Sequence, residues 1–303
     1  MLKANLAVLK NHGVIKNLSD LPPIPFDKYY FRSMKRILFF YLLFISLTSY
    51  GQLHFNAIQG SVASGLAGSG TLLEGVDGLF NNQAGIAENE KISFIVSSEL
   101  RYLTPDLTSF GAGISIPTNG KGVFGLSVSN LGLEEYKEQK IGLAYARKLT
   151  EGMNLGVQLD WLNTNIVNFG SNSLFTAELG FMADIGKKFT IGSHIFSPVK
   201  VSLTEQDNDV NTRIRFGASY APGDKLRVLF EVDKWQQNPL TVRGGFEYLL
   251  QENIKLRFGA SSNPALYSIG LSYHLSESLH FDGSYSIHSI LGSSPSLTIK
   301  GNR

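Results

Sequence analysis

Cysteine is absent from the 303-residue chain. That excludes a disulfide framework, a thiolate metal site and a cysteine nucleophile, and it leaves no cysteine for a lipid anchor. Charge is scarce as well, at 17% of residues, where an ordinary soluble domain carries about 25%. No apolar run reaches the roughly 20 residues that a spanning helix needs. What the chain does have is aromatics, with 20 Phe and 12 Tyr, and 31 glycines.

The longest apolar run, Ile37–Leu47, lies inside "MKRILFFYLLFISLTSYGQ", Met34–Gln52. Lys35 and Arg36 precede it, and Ser49 and Gly51 follow as small residues. This is the layout of a secretory signal peptide. Residues 34–51 are therefore expected to be a leader, cut between Gly51 and Gln52. Residues 1–33 would then be a mis-assigned extension, with translation starting at Met34. Residues 1–51 hold seven of the 27 basic and two of the 25 acidic residues, so the expected mature chain has 20 basic and 23 acidic. Its basic surplus disappears, and with it the compositional support for a nucleic-acid partner.

From Lys91 onward the hydrophobic period is two. In "MNLGVQLDW", Met153, Leu155, Val157, Leu159 and Trp161 alternate with Asn154, Gly156, Gln158 and Asp160. Side chains of a strand point alternately to opposite faces, so such a segment has one apolar and one polar face. About fourteen segments of about ten residues follow one another, from 91–102 to 295–301, and a tilted strand of that length crosses a bilayer. Every second connection is short and polar ("TNGK", "TEG", "GKK", "PGD", "QEN", "SES"), and the others are longer. Outer-membrane barrels sort their connections this way, with tight periplasmic turns and longer outside loops. The expected fold is therefore all-β: a transmembrane antiparallel up-and-down barrel over 91–303, in the outer membrane and in contact with its lipid. If the first strand rises from the periplasm, the short turns are periplasmic.

The apolar faces would meet lipid, with Tyr102, Trp161, Tyr220, Trp235, Tyr248, Tyr273 and Tyr285 near segment ends as aromatic girdles. The other face carries Glu99, Arg101, Gln158, Asp160, Glu178 and Asp282. Segments eight to eleven add Arg215, Arg227, Glu231, Arg243, Glu247 and Arg257. Opposite charges on neighbouring strands attract, so these six are expected to bridge the lumen. Solvated charges in a wide pore are the alternative.

Residues 53–90 do not alternate. They are small and weakly apolar, and Gly and Asn there tolerate tight turning and close backbone approach. Residues 52–90 are expected to fold back as a plug or cap in the barrel mouth, with Thr71–Phe80 as a short helix or a hairpin. The run "GLAGSGTLLEGVDGLFNNQAGIA" resembles the N-terminal signature of the FadL-related barrels, especially the PorV/PorQ group. Gly65, Gly68 and Gly70 match its small-residue start, and Asp77 its acidic part. Asn82, Ala84, Gly85 and Ala87 match its Asn-Pro-Ala-Gly-Leu-Ala-like end, with Phe80 and Asn81 before it. Gln83 replaces the proline, and Arg303 stands where many barrels end in an aromatic residue. For PorV/PorQ-like members the resemblance implies a non-enzymatic barrel that engages partners or cargo of type IX secretion or surface attachment. For FadL-like members it implies passage of hydrophobic small molecules. The short loops favour the first.

No cofactor is expected. His274 and Ser276 share a strand face, but Ser276 falls at a turn, where serine is common, so a catalytic reading is not adopted. His280, Asp282 and His288 share an inward face without a third ligand nearby in sequence for a metal held by His280 and Asp282. Glu205, Asp207 and Asp209 alternate as in a calcium loop but lack its glycine and distal glutamate.

Overall fold

Alternation with short polar turns builds hairpin upon hairpin, and in the computed structural model these close on themselves. The structure describes residues 59–198, 211–236 and 238–303. The expected extension, the leader and the Glu205–Asp209 loop lie outside them. Fourteen strands form the sheet: β1 (Ser93–Leu100), β2 (Thr108–Pro117), β3 (Val123–Leu131), β4 (Tyr136–Thr150), β5 (Met153–Ile166), β6 (Gly170–Ile185), β7 (Phe189–Phe196), β8 (Arg213–Gly223), β9 (Leu226–Trp235), β10 (Thr241–Gln251), β11 (Ile254–Ser261), β12 (Leu266–Ser276), β13 (Leu279–His288) and β14 (Gly292–Asn302). Each pairs antiparallel with its sequence neighbours, and β1 closes the ring on β14, with Ser93 opposite Asn302 and Glu99 opposite Ser296. Closure leaves no unpaired edge, as a backbone in lipid requires. Among the described residues no helix is long and apolar enough to cross a membrane.

Burial is inverted relative to a soluble protein. In β5, Leu159 is 66% exposed while its neighbours Gln158 and Asp160 are 1% and 0% exposed. The same holds around the ring: Phe94, Phe124, Leu143, Phe216 and Phe230 are exposed outside, and Ser97, Ser127, Lys140, Ser219 and Glu231 are buried inside. An apolar exterior of this kind is stable only against acyl chains.

Two expectations need correction. Tyr102 is not part of an outer girdle, since it sits in the turn after β1 and lines the lumen end beside Glu99 and Arg101, with its ring against His288 at 5.8 Å; nor is Trp235, which faces inward, is 9% exposed, and packs edge-on against Phe196 at 6.4 Å. Trp235 has the same parity as Glu231, so its aromatic character misled. The connections after β3 and β5 are also far shorter than the loops read from "LGLEEYKEQ" and "NIVNFGSNS". Strand pairing continues into both, with Leu131 opposite Glu138 and Asn165 opposite Ser171. These hairpins outrun the apolar band. Their outward faces turn polar there, so the hydrophobic period fades while the backbone ladder persists.

Residues 59–90 lie inside the ring. They form a short helix α1 (Gly60–Gly65), a 3-10 turn over Gly75–Asp77, a helical turn α2 (Gly78–Asn81) and a 3-10 segment over Gln83–Glu88. Thr71–Phe80 thus turns helically at its end rather than forming a hairpin. The apolar core sits here: Val62, Leu66, Leu72, Leu79 and Ile86 are all nearly fully buried against the inward faces of the strands.

Candidate functional site: the plugged lumen

The plug approaches the wall so closely that side chains are missing where it passes. Inward-facing glycines mark its track. Gly270 lies against Gly65; Gly245 and Gly259 against Leu66; Gly192 and Gly217 against Leu72. Gly113 and Gly125 lie against Leu79, and Gly156 and Gly180 against the Asn82–Ala84 stretch. At Gly156 and Gly259 a Cβ would run into plug backbone, which cannot swing aside. Within the plug, Gly85 is equally confined by the Leu73 carbonyl, and Gly68 turns the chain at φ +86°. A residue with a Cβ is disfavoured in that conformation.

Polar contacts then hold the plug at several depths. The Ser61 N–H donates to Thr298 Oγ1 at 2.9 Å, and the Ala67 N–H to Ser268 Oγ at 2.8 Å. Asn82 is the most connected residue. Its Nδ2 donates to the Thr71 carbonyl at 2.7 Å and to the Phe181 and Ser193 carbonyls of the wall at 3.3 Å. Its Oδ1 accepts from the Ala84 N–H at 3.2 Å, capping the next 3-10 segment. Asn81 donates to the Gln59 and Asp77 carbonyls at 2.8 and 3.0 Å.

The charges fall into three groups rather than one network. Nearest the longer connections, Arg213 makes a two-pronged pair with Asp233 at 2.9 and 2.8 Å. Arg243 shares Asp233 at 2.7 Å and reaches Glu231 at 3.4 Å, while Glu231 accepts the Thr71 N–H at 2.9 Å. A second group joins Glu247 to Arg257 at 2.7 Å, Arg257 to Asp282 at 3.7 Å, and Asp282 to Lys300 at 3.1 Å; Lys300 then bonds Asp77 of the plug at 2.5 Å. In the third, Glu178 gathers Lys140, His194 (2.7 Å) and the Gln83 amide (2.7 Å), while Asp160 lies 3.6 Å from Lys140. Arg215 donates to the Asn81 carbonyl, and Arg227 to the Leu72 carbonyl at 3.0 Å. So of the six charges singled out in the sequence, Arg215 and Arg227 hold plug backbone, Glu231 serves both plug and wall, and Arg243, Glu247 and Arg257 pair within the wall.

Lys140, His194, Arg213, Asp233 and Lys300 were missed. Period two would have found two of them, since Arg213 precedes Arg215 by two and Asp233 follows Glu231 by two, whereas Lys140, His194 and Lys300 sit on β4, β7 and β14, where no inward residue had been named. The inward glycines were not singled out either, although each obeys that parity and Gly156 already stood on the polar face of its segment.

At the short-turn rim, where the plug leaves for β1, Glu88 bonds Lys148 and Asn154, both at 2.7 Å. Burial pushes its carboxyl up, but these hydrogen bonds outweigh that and hold it below the ordinary 4.5. A polar cavity of about 220 Å³ lies at the opposite end, lined by Gln59, Gly68, Glu99, Arg101, Tyr102 and Arg243 among others. No nucleophile is assembled at Ser276: its Oγ accepts the Ser278 N–H of the turn at 3.3 Å, and the His274 ring packs edge-on against His280 at 4.2 Å. Asp282 is engaged by Ser272 and Lys300, and among the described residues no three metal-ligating side chains converge.

A closed fourteen-strand barrel with a lumen filled by its own N-terminal segment defines a class: plugged barrels of the outer-membrane type. The same fold recurs in solved structures of transport channels. The CymD monoaromatic hydrocarbon channel is 14% identical, with a TM-score of 0.62 over 82% of this chain and 99% of that one. The Ralstonia pickettii toluene transporter TbuX is 12% identical, with a TM-score of 0.64 over 82% and 100%. A Pseudomonas aeruginosa FadL homologue is 12% identical, with a TM-score of 0.57 over 81% and 99%. This chain therefore has the FadL-type barrel fold. No protein-family model matches the sequence, and no curated protein matches it.

Proposed function

We propose that this chain is a non-enzymatic outer-membrane conduit of the FadL-like kind, admitting small hydrophobic molecules through a barrel that residues 52–90 keep closed. Export by the 34–51 leader and the division into plug and 91–303 barrel belong to the same proposal. The observation that carries it is the lumen itself. It is filled by a segment of the same chain, held by hydrogen bonds and ion pairs rather than by covalent links, inside a fold shared with hydrocarbon channels. Such contacts can be exchanged for others when the plug shifts.

The test is entry of a radiolabelled monoaromatic hydrocarbon into cells that carry the chain in their outer membrane, compared with cells lacking it. Faster entry at low external concentration is expected. Equal rates would remove the conduit reading.

A PorV/PorQ-like role with secretion or surface-attachment partners is the second reading. One observation favours it: the cavity at the loop end is small and polar, a poor wall for an apolar solute. Stoichiometric recovery of a secretion-machinery component with the barrel from mild detergent, together with unchanged hydrocarbon entry, would favour this reading over the first.

A further inference from the structure

The short-turn rim carries a second cavity that neither reading uses. It measures about 580 Å³ and lies between the β6–β7, β8–β9 and β10–β11 turns. Lys187, Lys188, Lys225, Arg227 and Lys255 converge on it. Asp224 and Glu247 are the carboxylates in its lining; Glu247 is engaged by Arg257 at 2.7 Å and also attracts Lys255 and Arg227, and Glu74 of the plug attracts Arg227. Several cations elsewhere are matched to carboxylates: Arg213 to Asp233, Lys300 to Asp77 and Asp282, Lys148 to Glu88. The ammonium groups of Lys187, Lys188, Lys225 and Lys255 have no such ion pair among the described residues.

Among the short turns the basic surplus lies in this sector. The β10–β11 turn itself adds Glu252, and the three short turns outside the sector carry Lys121, Glu151 and Glu277, so two of those three charges are acidic. Gathering like charges around one concavity costs repulsion unless an anion occupies it. A single carboxylate offsets one of these cations. A phosphate group brings about two negative charges and several acceptor oxygens, which lysines meet as point charges.

We propose that this cavity binds a soluble phosphate-bearing anion at the short-turn mouth, on the side that the loop pattern places in the periplasm. Arg227, Glu247, Leu249 and Lys255 lie on inward strand faces. A lipid headgroup would have to leave its leaflet and round the turns to reach them, so the occupant comes from the aqueous phase. The site is independent of whether a hydrophobic solute passes the barrel, because its readout is binding.

The test is calorimetric titration of the full-length barrel in neutral detergent with inorganic pyrophosphate at low salt. Saturable one-to-one binding is expected, weakening as NaCl rises. The paired variant Lys188→Gln, Lys255→Gln should weaken it about tenfold or more, and Lys121→Gln on another turn should not change it. If the pair fails to fold, judged by heat-modifiable gel mobility, Lys187→Gln with Lys225→Gln takes its place with the same expectation. No saturable binding, or binding untouched by both pairs, would overturn the proposal. So would binding of polyglutamate without pyrophosphate, which makes the partner an acidic peptide. Protection seen only in nanodiscs of anionic phospholipid would also overturn it, by assigning the lysines to headgroups.

Discussion

The inward glycines set how near two backbones come. At Gly259 the Leu66–Ala67 peptide occupies the place of a Cβ. Neither partner has a flexible end to move, so a methyl there must displace the plug or bend β11. Overpacking of this kind costs about 1–3 kcal/mol. Gly259→Ala is expected to lower the thermal midpoint in detergent and to speed protease cleavage within residues 59–90, while Gly223→Ala, which meets nothing within 4 Å, leaves both unchanged. Equal cleavage of the two variants would show that the plug is not clamped at this point. In the sequence such glycines look like any weak strand residue. Their parity was legible, but the neighbour that excludes a side chain comes from about 190 residues away along the chain, at a distance no local pattern spans. The motif glycines differ: Gly68 and Gly85 were legible as turn and close-approach residues because the reason is local.

At the scale of elements, strands were easier to read than connections. The lipid band imposes one alternation on every strand, so all fourteen can be located from period two alone. Above the band both faces are wet, and the pattern stops before the ladder does, which is why β4, β5 and β6 run to 15, 14 and 16 residues. The plug has no period, and its boundaries are set by what it touches. Its end at the short-turn rim is tied by Glu88 to Lys148 and Asn154. Because the folded-state value of Glu88 is held below 4.5, the tie contributes fully above the unfolded value and is lost as pH falls through the lowered one. Acidification below about pH 4 is therefore expected to raise protease access or hydrogen exchange around residues 86–91. Glu88→Gln should show raised access already at pH 7 and lose this part of the acid response. A Glu88→Gln protein with the wild-type acid profile would place the response on other carboxylates.

For the whole molecule the question is what a closed ring with a filled lumen does under an applied field. A fourteen-strand ring emptied of its plug would be a water-filled pore, since its inner wall is mostly serine, threonine, glycine and charge, with Leu162, Leu174, Phe196 and Trp235 as an apolar patch. With the plug in place, Leu66, Leu72, Leu79 and Ile86 fill the interior, so the wild-type protein should pass little current in a planar bilayer. The closed state draws on Asn82 and Gln83, which join the plug to carbonyls of β6 and β7 and to Glu178. Replacing both by alanine removes these bonds and leaves Glu178 with one partner fewer. Losing about 2 kcal/mol of plug retention raises the open population about 30-fold. Current bursts in Asn82→Ala, Gln83→Ala should become correspondingly more frequent, each with the amplitude of a single pore. A continuous small leak would instead mean that the plug stays seated and only its packing has loosened. A wild-type barrel that already conducts as an open pore would mean that the segment inside the lumen is a lining and not a seal.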